Sequence, residues 1–402
     1  MFLWALLLFA AMGRADEIIS VAKFGNQLPK EIPALIVTAI GKNPPKNNYE
    51  DSINLNTLRY IIVITRHGSR SPLSTYRNDP YPYYNIKFWP DGPGQLTRYG
   101  KQQLFASGQQ LRKRYNGFIN TNYFPNDTAA RSNPYDRDFM SAACLLAGFY
   151  PPSDYQLWNP SILWQPVPIW EEPFDVDIVT SRANVCPTVK KEQTRIFKKL
   201  DKKLESDNKN LTLYVSKHTG RNTTTLIDLA LLWDTLNLQQ ENGFKLPKWT
   251  KKIFPTILTP YYVQAIAALI IGSPKMTRLT SGPVLENVNS QLQRKVNGTM
   301  VPDRRMYLLA AHDVTLIAIL GGLGFKDPFL VDTSAYIVFE LHENSRGHIV
   351  QMLYFNNSAT AEPTVLNAPN CNNPCNLKDF SKMVDSVAPK NWKSECRIEE
   401  DN

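Results

Sequence analysis

The clearest run of apolar positions is the β-branched stretch Ile61-Ile62-Val63-Ile64-Thr65. An unbroken run of this kind suits a strand covered on both faces, as in a parallel sheet. It stops at Arg66-His67-Gly68-Ser69-Arg70-Ser71-Pro72, where Gly and Pro disfavour continuing the strand and favour a loop. Residues 305–311 repeat the arrangement. Their apolar run ends at His312-Asp313 and is followed by a helical segment, residues 314–320, that stops at Gly321-Gly322. Residues 335–342 and 348–356 read as a hairpin of edge strands around Gly347. Thr97 is an N-cap for a helix whose buried face is Leu104, Gly108 and Leu111 and whose end is Arg112-Lys113-Arg114-Tyr115. A second helix opens at Tyr135-Asp136-Arg137-Asp138 and ends near Pro151-Pro152. From residue 153 to about 297 the pattern is mostly helical, with apolar amphipathic segments at 223–238 and 260–271 and no convincing strand alternation.

Composition narrows the class. A chain of 402 residues can bury a large core and divide into two or three domains. The formal charge is +9, which favours anionic substrates, but the basic residues are scattered. The densest patch, Lys190, Lys191, Lys198, Lys199, Lys202 and Lys203, recurs at helical spacing around Ile196, Leu200 and Leu204. It reads as the solvated face of an amphipathic helix, not a nucleic-acid site. Residues 1–15 read as a signal peptide with a Gly13-Arg14-Ala15 cleavage site. The longest later apolar run, residues 265–271, is too short to span a bilayer. A soluble, secreted chain is therefore expected. Sequons at Asn126, Asn210, Asn222, Asn297 and Asn356 fit that compartment as glycosylation candidates. Of five cysteines, Cys371 and Cys375 can close a small loop, and Cys144, in an apolar helix, reads as a buried free thiol. A Cys-x₃-Cys metal site is disfavoured in a secreted chain without clustered histidines.

The candidate chemistry lies at the end of the first run. Arg66 and Arg70 are fixed cations with donor forks that match phosphate oxygens. His67 between them can attack as a neutral imidazole or carry a proton. Open α/β sheets bind ligands at the carboxyl ends of such strands. Residues 80–93 carry Tyr81, Tyr83, Tyr84, Phe88 and Trp89, either lining the site entrance or capping the core edge. His218 reads as an exposed side chain, and His342 and His348 as strand and turn residues.

Arg-His-Gly-Ser-Arg-Ser-Pro at 66–72 resembles the RHGxRxP signature of the histidine acid phosphatases, branch 2 of the histidine phosphatase superfamily. The resemblance runs from residue 58 to about 396. It is closest to animal secreted, prostatic and lysosomal-type members, insect venom proteins included. Gly94-Gln95-Leu96-Thr97 with Lys113-Arg114-Tyr115 resembles the family closely, and Leu246-Pro247-Lys248-Trp249 and Arg278-Leu279 more weakly. The resemblance implies an α/β fold, a mostly parallel central sheet flanked by helices with a smaller helical cap inserted. Domain limits follow: extension at 16–57, first α/β part at 58–152, cap at 153–300, and second α/β part with a disulfide-tied tail at 301–402. It also implies a Cys186–Cys396 disulfide beside Cys371–Cys375. One disulfide of some relatives has no counterpart here, and the 16–57 extension departs from the family's pattern.

The resemblance assigns roles. His67 would be the nucleophile, forming a phosphohistidine. Asp313 would protonate the leaving group. Arg66, Arg70, Arg137 and His312 would clamp the phosphate. Arg137 matches the arginine of the family's Asp-Arg-Thr motif, but Asp138 stands where Thr is usual. As an N-cap, Asp would serve as well as Thr; facing the phosphate, it would weaken anion binding. The implied enzyme is a secreted acid phosphatase acting on small phosphomonoesters. It needs no metal and no cofactor, engages neither nucleic acid nor membrane, and is compatible with a homodimer. An alternative is an acid phosphatase-like secreted protein that binds a biogenic amine or lipid mediator with little or no turnover.

Overall fold

The computed structural model describes residues 54–171, 185–325, 330–372 and 374–398. The expected signal peptide and nearly all of the extension lie outside them. The organising element is strand β1 (Leu58–Arg66), the apolar run read from the sequence. Its neighbours are β4 (Met306–Ala311), parallel, and β5 (Tyr336–Asn344), antiparallel. With β2 (Thr128–Ser132), β3 (Ile169–Glu171), β6 (Gly347–Phe355) and β7 (Thr364–Val365) they form a seven-stranded sheet ordered β3-β2-β4-β1-β5-β6-β7. The core β3-β2-β4-β1 is parallel, and β5, β6 and β7 extend it antiparallel.

Residues of β1 alternate between two apolar layers. Ile61 and Val63 face helices α1 (Arg98–Arg114) and α2 (Asp136–Phe149), where Leu104, Leu111, Leu145 and Phe149 complete one core. Tyr60, Ile62 and Ile64 face the other layer. Its helices are α7 (Pro274–Val296), α8 (Asp313–Gly322) and α9 (Leu377–Val387), which contribute Val284, Leu285, Leu316 and Phe380. Two-sided burial explains the absence of polar alternation in the run. α1 and α2 touch backbone to backbone: a Cβ on Gly108 would stand 2.0 Å from Leu145 O, and one on Gly148 2.1 Å from Phe105 O.

A third cluster is built mainly from helices. It packs Phe197 of α3 (Pro187–Asp207), Val215 of α4 (Lys209–Thr219), Leu229 and Leu236 of α5 (Leu226–Glu241), and Tyr262 of α6 (Leu258–Ile270). Thr225 and Asp228 form a capping box at the start of α5.

Several sequence expectations change. β5 and β6 are interior strands, because the two-residue β7 takes the edge. Residues 153–300 are not all helical subdomain: Ile169–Glu171 joins the sheet as β3, and α7 packs on the sheet face. His218 is half-buried and stacks on Trp249 at 5.2 Å and 5°. Tyr81, Phe88 and Trp89 cluster around Phe244, at centroid distances of 4.7, 6.1 and 4.8 Å, so this part of the 80–93 segment is held by an aromatic cluster of its own. Both expected disulfides form, Cys186–Cys396 and Cys371–Cys375, and Cys144 is free and half-buried. Four sequon asparagines are exposed. Asn356 is half-buried and donates its Nδ2 to Asp332 Oδ2 at 2.8 Å. No helix among the described residues is long and apolar enough to cross a membrane.

Candidate active site

Arg66 of β1 lies in register with Ala311 of β4. The loops beyond the two strands therefore leave the sheet side by side, and the His67 N–H extends the ladder by donating to Ala311 O at 2.9 Å. Gly68 follows because the backbone runs against the start of α1: a Cβ there would stand 2.4 Å from Gly100 O. Ser69 is held by its N–H to Gln103 Oε1 at 2.8 Å and by its carbonyl, which accepts from Thr97 N at 3.0 Å. The signature loop is thus fixed by α1 before any ligand arrives.

His67 is 3 % exposed, and its ring lies 5.5 Å from that of His312. His67 Nδ1 is 2.8 Å from Gly68 O. A carbonyl only accepts, so Nδ1 carries the proton and Nε2 keeps its lone pair. Burial, and after it Arg137, Arg66, His312 and Arg70, push the His67 pKa well below the ordinary histidine value. Both effects favour a neutral, nucleophilic imidazole.

Asp313 opens α8, and its Oδ1 accepts from Val314 N at 2.8 Å. Its Oδ2 accepts from Tyr262 OH at 3.0 Å and faces Arg66 Nη2 at 3.0 Å. Burial alone would raise this carboxyl, but Arg66, His312, Tyr262 and the Val314 N–H together hold it below the usual value. Arg66 also donates to Val331 O. Arg70 pairs with Asp234 of α5, Nη2 reaching Oδ1 at 3.2 Å and Oδ2 at 3.1 Å. Arg137, in the first turn of α2, stacks over the Tyr135 ring at 4.7 Å.

His67, Asp313, Arg66, Arg70, Arg137 and His312 all come together. The electrostatic neighbours of the buried His67 include Arg137, Arg66, His312 and Arg70, and Arg137 in turn feels Asp313. Asp138 is not the N-cap and lies on the side of the clamp. Tyr135 is the N-cap of α2, and Asp138 points inward, fully buried, its Oδ2 3.3 Å from His312 Nε2. Sequence reading missed Asp234 and Tyr262, which come from the helical subdomain and hold Arg70 and Asp313. For Asp234 a signal was present, a lone carboxylate within Leu229-Ala230-Leu231-Leu232-Trp233-Asp234. His67, Asp138 and His312 also bring one donor atom each within 4.8 Å of one another. The guanidiniums of Arg66, Arg70 and Arg137 around them oppose a cation there.

A buried histidine flanked by arginine forks at the end of a parallel strand, facing a carboxylate at the end of the next, defines a phosphate-handling α/β protein. Residues 57–355 match the family model of the histidine phosphatase superfamily (branch 2), and the chain belongs to that family. It is 32 % identical over 354 residues to the lysosomal acid phosphatase of Homo sapiens, covering 85 % of this chain and 81 % of that one. Its identity to the prostatic acid phosphatase of Homo sapiens is 28 % over 352 residues, covering 86 % and 89 %. Among solved structures, the Hafnia alvei phytase in complex with tartrate superposes with a TM-score of 0.61 at 16 % identity, covering 85 % of this chain and 99 % of that one. That likeness concerns the fold.

Proposed function

We propose that the protein is a secreted acid phosphatase that hydrolyses small phosphate monoesters through a phosphohistidine. The convergence of the two strand-end loops and the α2 start on one buried pocket carries this reading. Arg66, Arg70, Arg137 and His312 clamp the phosphoryl oxygens, and each such preorganised donor contributes on the order of 3 kcal/mol to the transition state. The His67 Nε2 lone pair attacks phosphorus, and the P–O ester bond breaks towards the leaving oxygen. That oxygen takes its proton from Asp313. Water then attacks the phosphohistidine, gives a proton to the Asp313 carboxylate, and the P–N bond breaks to release phosphate and restore His67.

Asp313 has to be protonated for the first step, yet Arg66 holds it ionised in the free site. A bound phosphate competes for Arg66, weakening that hold, and acid solution supplies the rest. The acid working range follows from this competition. Secretion is supported by two disulfides and by sequons whose asparagines are mostly exposed.

Hydrolysis of an aryl phosphate at about pH 5, the working range of a carboxylic acid catalyst, together with acid-quench trapping of ³²P on His67, tests the reading. Loss of both signals in His67→Ala is the expected result. Equal turnover by the two forms would overturn it.

A further inference from the structure

The clamp as described has no use for Asp138. This residue sits in the first turn of α2 with 0 % exposure, its Oδ2 3.3 Å from His312 Nε2. Donor atoms of His67, Asp138 and His312 lie within 4.8 Å of one another. A phosphoryl group attacked by His67 and held by His312 has to approach both imidazoles, since reacting atoms meet at about 3–3.5 Å. A carboxylate that already approaches both therefore competes for the ground where an oxyanion would settle.

Everything charged around this pair is on view. The signature loop supplies Arg66, His67 and Arg70, whose fields His312 feels. From α2 and its cap come Arg137 and Tyr135, the latter meeting the His312 ring at 5.1 Å. From α8 comes Asp313, and behind these stand Asp234 on Arg70 and Tyr262 on Asp313. Three guanidiniums thus face the carboxylates Asp138, Asp234 and Asp313, with Glu241 and Asp332 further round Arg66. With both imidazoles neutral, the arginine charges are already met by carboxylates before any ligand arrives. Adding a phosphate dianion without a proton would leave a buried, uncompensated double charge, which is strongly disfavoured.

We propose that Asp138 is a built-in anion that competes with phosphate for His312 and makes substrate capture depend on proton uptake by the Asp138–His312 pair. The inference rests on the acid phosphatase reading and adds a specificity to it: the site admits phosphomonoesters only as the pair gains a proton. Carboxyl and imidazole lie 3.3 Å apart, close enough for a proton gained by either to be shared. While the pair is deprotonated its negative charge repels the ligand. Once protonated it either donates to a phosphoryl oxygen through His312 or no longer opposes it. The family motif that this segment resembles has Thr here, an uncharged hydroxyl.

The test is the inhibition constant of inorganic phosphate against aryl phosphate hydrolysis, followed with pH for the wild type, Asp138→Thr and Asp138→Asn. Removal of a like charge in contact distance shifts such an equilibrium about tenfold or more. In the wild type the constant should weaken by about tenfold per pH unit on the alkaline side, one proton being linked to binding. In both variants it should be at least tenfold tighter at neutral pH and should keep only the pH dependence set by phosphate's own ionisation and by Asp313. KM should fall with it while kcat changes less. Wild-type and variant curves of the same slope would overturn the proposal. If neither variant folds, calorimetry of phosphate binding to the wild type in buffers of different ionisation enthalpy decides: about one proton taken up beyond those of phosphate and Asp313 supports the role, none beyond them removes it. Absence of hydrolysis in all three forms would instead overturn the acid phosphatase reading, whereas hydrolysis with unshifted pH dependence overturns only the role of Asp138.

Discussion

Arg70 and Asp234 form a two-oxygen ion pair, at 3.2 and 3.1 Å, between the signature loop and helix α5. Both side chains are largely buried, at 10 % and 15 % exposure. The pair fastens the helical subdomain to the sheet through a residue that also belongs to the clamp.

Asp234→Asn is therefore expected to destabilise the phosphate-free protein, because it strands a largely buried guanidinium; such losses run to about 3 kcal/mol. Saturating phosphate supplies Arg70 with a new counter-ion and stabilises by mass action. The variant should accordingly gain more melting temperature from phosphate than the wild type does. Equal ligand-induced shifts in differential scanning fluorimetry would contradict a shared use of Arg70.

Tyr262→Phe removes the hydroxyl that donates to Asp313 Oδ2. That bond favours the ionised carboxylate, so its loss raises the Asp313 pKa. In the proposed mechanism the acid must be protonated, so the alkaline limb of the kcat/KM profile is expected to move to higher pH. The rate at the optimum should change by no more than about fivefold, the equivalent of ~1 kcal/mol for one hydrogen bond. Steady-state kinetics across the acid range reads both effects.

How these residues came to be visible differs. β1 and β4 were legible because two-sided burial leaves an unbroken apolar run that ends directly in charged residues. β2 was not: Thr128-Ala129-Ala130-Arg131-Ser132 is short and small, and its strand conformation comes from pairing with β4. The Arg66-His67 and His312-Asp313 pairs were readable as polar residues ending buried strands. Arg137 rested on resemblance alone, since an arginine in the first turn of a helix is ordinarily a surface residue. The inward aim of Asp138 and the contacts of Asp234 and Tyr262 depend on how helices dock, which no local pattern encodes.

Asp79 supplies a prediction about stability and pH. It is buried, accepts from Gln239 Nε2 at 2.9 and 2.8 Å and from Tyr81 N at 2.8 Å, and has its pKa pushed up to about 6, chiefly by burial. Its folded value lies above the ordinary aspartate value of 3.8. The protonated form thus contributes stability below that value, and the contribution is lost as pH rises through about 6. Two units correspond to about 3 kcal/mol. Asp79→Asn cannot ionise, so its stability relative to wild type should improve steadily from pH 4 to pH 7. Parallel curves in chemical denaturation would show that Asp79 does not titrate differently on folding.

Glycosylation should be uneven. Asn126, Asn210, Asn222 and Asn297 present exposed side chains. Asn356 uses its Nδ2 on Asp332 and its Oδ1 to accept from Tyr354 OH at 2.9 Å. Glycopeptide mass spectrometry of protein from a secretory host should find Asn356 bare while the exposed sequons carry glycans. Full occupancy at Asn356 would mean that these bonds form only after modification.

The helical subdomain does more than roof the pocket. Tyr262 donates to Asp313 and Asp234 pairs with Arg70, so in the proposed mechanism these helices touch both the acid and an arm of the clamp. Exchanging these helices for those of a relative would transplant preference and reactivity together, and a chimera that kept Asp234 and Tyr262 while changing their neighbours is the way to alter one without the other.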